Sequence, residues 1–214
     1  DLQEAADKGN KRAALAVDLF NYNVHFVATN NLSGTARVPA DYEKGSSSTI
    51  TYINPSVGGW TSNDGVSHYD TYVKPYIEQY GCDLFMLAFG MNDGGSAAKS
   101  VYSTQKRILE KVLGQAPEVN LLLMATMVPN PDATNGWYGS QAKQEAALID
   151  GAAKYVEAGT PCAVVCMGST SLAVLEHKNF RDYTGNNINH PNDFFSRVYA
   201  QTLLQCVVGY ENMK

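Results

Sequence analysis

Missing from this 214-residue sequence are any run of basic residues, any Cys-x-x-Cys pair, and any apolar stretch of the roughly 20 residues needed to span a bilayer. The first absence, together with a formal net charge of -5 and a pI near 5.3, argues against a phosphate backbone as ligand, so nucleic acid is not an expected partner. The second leaves Cys82, Cys162, Cys166 and Cys206 in or beside apolar runs, where they read as buried thiols rather than a disulfide framework. Cys162 and Cys166 are four apart, but no histidine accompanies them, and a metal site is not expected. The third absence excludes a membrane-spanning helix. The first residues, Asp1, Leu2, Gln3 and Glu4, do not form a basic region followed by an apolar core, so no signal peptide is read there. The chain is expected to be soluble, with the cytoplasm favoured over secretion and a mature secreted form left open.

What is present is a 44% share of hydrophobic residues, enough in 214 residues to bury one substantial core in a single domain. Largely apolar runs bounded by turn residues recur at 24–28, 50–53, 84–89, 121–127 and 163–167. Several are continuous rather than alternating, the pattern of strands buried on both faces in a parallel sheet. Between them Tyr69, Tyr72, Val73, Tyr76 and Ile77 fall on one helical face, as do Ile108, Val112 and Leu113, and Ala146 to Val156 follows the same spacing. A closing helix is predicted over 196–208 and an amphipathic one over 12–22. Strands alternating with helices give the expected fold class: α/β, a three-layer α/β/α sandwich with a mainly parallel sheet. Residues 29–49 read as a long polar loop, and 129–135 as a shorter one.

Three segments carry residues suited to chemistry. Asn54, Pro55, Ser56, Val57, Gly58, Gly59 and Trp60 follow the second strand, and paired glycines let bare backbone N–H groups approach a ligand. Gly90, Met91, Asn92 and Asp93 follow the 84–89 strand. In an α/β sheet ligands bind outside the carboxyl ends of strands, where an Asn amide can donate to a developing oxyanion. His190 is followed by Pro191 just before the last helix, where the restricted proline backbone suits a base that keeps one orientation. Each has a bland alternative: a tight turn at Gly58 and Gly59, a turn stabilised by Asn92 and Asp93, and a structural histidine. Trp60, Trp137 and Tyr138 are candidates for the rim of such a site, while His25, His68 and His177 have no motif around them.

Together and in this order the three segments resemble the SGNH/GDSL hydrolases, over roughly residues 12–210. Segment 54–62 looks like the second block of that family, with Gly59 as the oxyanion glycine. Gly90 to Asp93 looks like the third, with Asn92 as the oxyanion asparagine, and 187–192 like the fifth, with His190 as general base. The resemblance implies ester hydrolysis by a Ser nucleophile with no metal or organic cofactor, on a small-molecule or carbohydrate ester such as a sugar O-acetyl group.

The sequence departs from the family pattern at two places. It contains no Gly-Asp-Ser, so the resemblance places the nucleophile and the first strand upstream of Asp1, on a segment that a nicked protein would keep as a bound N-terminal fragment; Ser33 is the internal alternative. Asn187 stands three residues before His190, where the family carries an Asp; a neutral amide can hold a tautomer but does not stabilise imidazolium as a carboxylate does. Asp182 and Asp193 are the nearby carboxylates, each equally readable as a cap or a helix N-terminal charge. Two other readings compete: a non-catalytic carbohydrate-binding module that keeps the fold, and a flavodoxin-like phosphate binder, which the lack of a Gly-rich loop with Lys or Arg at the first strand disfavours.

Overall fold

In the computed structural model, residues 7–9, 23–29, 40–41, 49–132 and 139–208 are described. The chain divides into two compact units, Asp1–Gly59 with Val208–Lys214, and Trp60–Val207. The helix read at 12–22, most of the 29–49 loop, Ser33, Trp137 and Tyr138 lie outside the described residues.

In the first unit, β1 (Asn23–Thr29) pairs in parallel with β2 (Thr49–Asn54), with a register shift between Phe26 and Ala28. Asp41 accepts from the Phe26 backbone N–H at 3.1 Å and pairs with His25 Nδ1 at 2.9 Å; the His25 contact leads in holding its carboxyl below the usual range. Past β2, Asn54 Oδ1 accepts from the backbone and hydroxyl of Ser56, an Asx turn that ends the strand. Gly59 follows with φ +83, a left-handed conformation that an L side chain rarely adopts.

The second unit is built on a three-stranded parallel sheet of order β3 (Leu84–Leu87), β4 (Asn120–Met124), β5 (Cys162–Val165). Its helices are α1 (Ser62–Ser67), α2 (Tyr69–Tyr72), α3 (Lys74–Tyr80), α4 (Ala98–Gln115), α5 (Gln141–Glu157), α6 (Met167–Leu175), α7 (Phe180–Tyr183) and α8 (Asp193–Val208). Successive side chains of a strand point to opposite faces, and the central strand shows where the layers lie. Leu121 and Leu123, buried to 2% and 0% exposure, pack in one cluster with Val66, Ile77, Ile108, Val112 and Leu148 from α1, α3, α4 and α5. Leu122 packs in a second with Met167, Phe180, Tyr183 and Phe195 from α6, α7 and α8. Helices therefore cover both faces, which is the α/β/α sandwich expected from the continuous apolar runs. Removing one such leucine, as in Leu123→Ala, costs about 2–5 kcal/mol.

Two departures from the sequence reading have local causes. The single helical face read from Tyr69 to Ile77 is split into α2 and α3 at Val73, because Pro75 sits in the first turn of α3 and has no N–H to continue a helix from α2. The apolar run at 163–167 stops being strand after Val165, and Met167 opens α6. That helix start is held from a distance: buried Glu145 on α5 accepts from the backbone N–H groups of Gly168 at 2.8 Å and Ser169 at 3.2 Å, and from the Ser169 hydroxyl. The four cysteines are unpaired and half-buried, and burial pushes the Cys162 thiol up to about 11. Among the described residues no helix is long and apolar enough to cross a membrane.

Candidate active site

The chain leaving β3 turns at Gly90, whose φ of +130 and tight surroundings require glycine: a Cβ there would lie 2.3 Å from Gln144 Oε1. Immediately beyond, two side chains reach back to the segment that opens α1. Asn92 Nδ2 donates to the Trp60 carbonyl at 3.1 Å. The Asp93 carboxylate accepts from the Ser62 backbone N–H at 3.1 Å and from its hydroxyl at 2.6 Å, and Ser62 is 1% exposed. Ser62 is the first residue of α1, whose N-cap is Thr61 in a capping box with Asp64; the hydrogen bond from the Thr61 hydroxyl is the main reason the Asp64 carboxyl is held low. The junction is thus pinned by a clamp of two consecutive side chains and by its own cap.

An open cavity of about 200 Å³ lies at the carboxyl ends of β3 and β4, lined among others by Trp60, Met91, Asn92, Met127, Asn189 and Tyr199. A side-chain amide carries two N–H groups. One is donated to Trp60 O, which ties the amide to the α1 junction, and the second N–H of this cavity-lining residue is used by no hydrogen bond among the described residues. Tyr199, on α8, accepts from the Met127 backbone N–H at 2.9 Å, and burial raises its hydroxyl to about 12, so it stays neutral in this wall at ordinary pH.

The other candidate residues sit on the hairpin-like loop before α8, closed by a bridge between Thr184 and Pro191 and by the Gly185 N–H donating to His190 O at 2.8 Å. Asn186 Oδ1 accepts from the backbone N–H groups of Ile188, Asn189 and His190 at 3.0, 2.9 and 3.0 Å. From the loop after β4, Asn130 donates its backbone N–H to Ile188 O and its side-chain amide to Asn187 O, at 2.8 and 2.9 Å. Asn187 has φ +56, the left-handed region where Asn is among the few tolerated side chains, and no hydrogen bond joins its side chain to His190 among the described residues. Asn189 is buried and lines the cavity; His190, the next residue, is exposed and does not line it. Asp182 is spent in a capping box with Asn179, and Asp193 lies in the first turn of α8.

The structure therefore brings Asn92 together with Asn189, the neighbour of His190, around one cavity, and places Gly59 in the turn immediately before Trp60. Asn130 and Asn186, which hold the histidine loop, were missed from sequence. Asn186 carried a local signal, since Asx residues cap backbone N–H groups two to four positions on, whereas Asn130 acts across more than fifty residues and carried none.

A scan of protein-family models gives no match, and a search of curated proteins gives none. Solved structures do match. A structure from Parabacteroides merdae described as a GDSL-like lipase aligns with a TM-score of 0.59 at 12% identity, covering 74% of this chain and 72% of its own. A carbohydrate esterase family 3 protein from Talaromyces cellulolyticus aligns at 0.58 with 15% identity, covering 86% and 80%. The chain has the SGNH/GDSL-hydrolase fold. An acetyl-xylooligosaccharide esterase from Geobacillus stearmophilus shares the SGNH fold with it at a TM-score of 0.58 and 12% identity, over 75% and 73% of the two chains. Identities this low speak to the fold alone.

Proposed function

We propose that this chain is the greater part of an SGNH-type ester hydrolase acting on small acyl esters, in particular O-acetyl groups on carbohydrate. The observation that carries the reading is Asn92: an amide just past the carboxyl end of a parallel strand, bonded to the Trp60 carbonyl and lining a cavity. Such preorganised donors stabilise charge that develops only in the transition state. The names of similar structures, which include an acetyl-xylooligosaccharide esterase and an esterase active on acetylated mannans, support the choice of acyl group and alcohol.

In this reading a serine from a segment N-terminal to Asp1 is the nucleophile. His190 takes its proton as the Oγ–C bond forms, and the carbonyl electron pair moves onto oxygen, held by the Gly59 N–H and the Asn92 amide. Collapse of the tetrahedral intermediate breaks the bond to the sugar oxygen, which leaves with the proton from His190. Water then repeats the sequence on the acyl-enzyme, releasing the acid and the free serine. His190 is exposed, and the hydrogen bonds of a catalytic base often tighten only in the substrate complex. Asn187 is assigned to holding the loop in its left-handed turn, and through it the direction of His190.

The test is hydrolysis of 4-nitrophenyl acetate by the full-length protein and its His190→Ala variant. Loss of a general base lowers kcat by about 10²–10⁴-fold; a variant with undiminished kcat would remove His190 from the mechanism.

A further inference from the structure

Trp60, a half-buried residue of the cavity wall, packs with two exposed rings, those of His68 and Tyr72. Trp60 and His68 stack with centroids 4.6 Å apart and planes at 26°. Tyr72 stands nearly perpendicular to both, 4.9 Å from Trp60 and 6.2 Å from His68. Their arrangement follows from the fold: His68 is the shared cap residue between α1 and α2, and Tyr72 lies four residues on, at the spacing that places side chains on one helical face. Tyr69, between them, is 2% exposed and anchors the segment in the core. His68 and Tyr72 remain exposed, Tyr72 by 39%.

The cluster is polar where it needs to be. His68 Nδ1 lies 3.0 Å from the Asp64 carbonyl, an acceptor, so in the neutral ring Nδ1 carries the proton and Nε2 presents its lone pair as an acceptor. Asp64 itself is fixed by Thr61. Ring faces carry negative potential, which attracts the axial C–H bonds on the face of a pyranose whose hydroxyls are equatorial. A rigid ring cluster also loses little freedom on binding.

We propose that Trp60, His68 and Tyr72 are a platform for pyranose units of an oligosaccharide with equatorial hydroxyls, such as β-linked xylose or glucose, with His68 Nε2 accepting from one hydroxyl. Trp60 belongs both to the platform and to the cavity wall, so a glycan lying on the rings carries its ester toward Asn92. The inference rests on the ester-hydrolase reading only for that last placement.

The experiment is isothermal titration calorimetry of the full-length protein with unesterified xylopentaose and cellopentaose. Saturable binding of either is expected. Tyr72→Ala weakens it about five- to tenfold, Tyr72→Phe restores it, and Tyr80→Ala, which removes an exposed tyrosine of α3 outside the cluster, leaves it at the wild-type value. Absence of binding to both sugars, or equal losses in Tyr72→Ala and Tyr80→Ala with wild-type circular dichroism, would overturn the platform. Because neither sugar carries an ester, binding by a protein that hydrolyses no acetyl ester would uphold the platform and remove the hydrolase reading. Hydrolysis without sugar binding would do the reverse.

Discussion

In the loop after β3, it is the side chains that are held: Asn92 is bonded to Trp60 O and Asp93 to Ser62. In the loop before α8, it is the backbone that is held, by Asn186 and Asn130, while the imidazole of His190 stays exposed. The difference matches what each group is asked to do. An oxyanion donor is useful only if it needs no rearrangement when charge develops. A base that takes a proton from the nucleophile and returns it to the leaving group must be kept in place, and the bonds of Asn186 and Asn130 hold the loop that carries it.

The largest test of this contrast is Asn92→Ala, which deletes the preorganised donor and lowers kcat by about 10²–10³-fold, with the melting temperature little changed. Steady-state kinetics on 4-nitrophenyl acetate reads it. Next, Asp93→Ala leaves the buried N–H and hydroxyl of Ser62 without their acceptor, at a cost of about 1–3 kcal/mol in chemical denaturation. It also frees the segment that fixes Asn92, so kcat falls with stability.

Asn186→Ala takes one acceptor from three backbone N–H groups on the surface side of the histidine loop and costs about 1 kcal/mol, in the range of a lost cap. If His190 is the base, hydrogen exchange at Ile188 to His190 quickens and kcat falls in the same variant. The smallest effect is that of Asn187→Gly. The left-handed φ of Asn187 makes this change stability-neutral to within a few tenths of a kcal/mol, whereas Asn187→Ala costs about 1–2 kcal/mol. A fall in kcat for Asn187→Gly at unchanged stability would instead show that its side chain orients the imidazole directly.

The sequence made the five strands legible because each is a short, mostly apolar run, and the continuous run at 121–127 suggested a strand covered on both faces. It was less informative wherever a distant residue decides the local structure. Met167 reads locally as the end of the apolar run 163–167, but it opens a helix whose first backbone N–H groups are met by Glu145 from α5. The clamp from Asp93 to Ser62 spans thirty-one positions and left no periodic trace. Conversely, the break between α2 and α3 was readable from Pro75, and an apolar periodicity that continued through it concealed the break. At the candidate site, Asn92 and the His190 loop stood out in the sequence because chemistry-bearing residues followed strand ends or preceded the last helix. The Asn at position 187 gains a physical reason only from its positive φ, which Asn tolerates better than nearly any other non-glycine residue.

The central claim is that this fold carries an activated serine served by His190. Treatment of the full-length protein with a fluorophosphonate, which modifies activated serines, followed by mass spectrometry of the labelled peptide, tests it most directly. The account predicts one labelled serine, N-terminal to Asp1, and loss of labelling in His190→Ala. Labelling at Ser33 would move the nucleophile into this chain, and a full-length protein that takes up no label, or takes it up equally without His190, would contradict the claim.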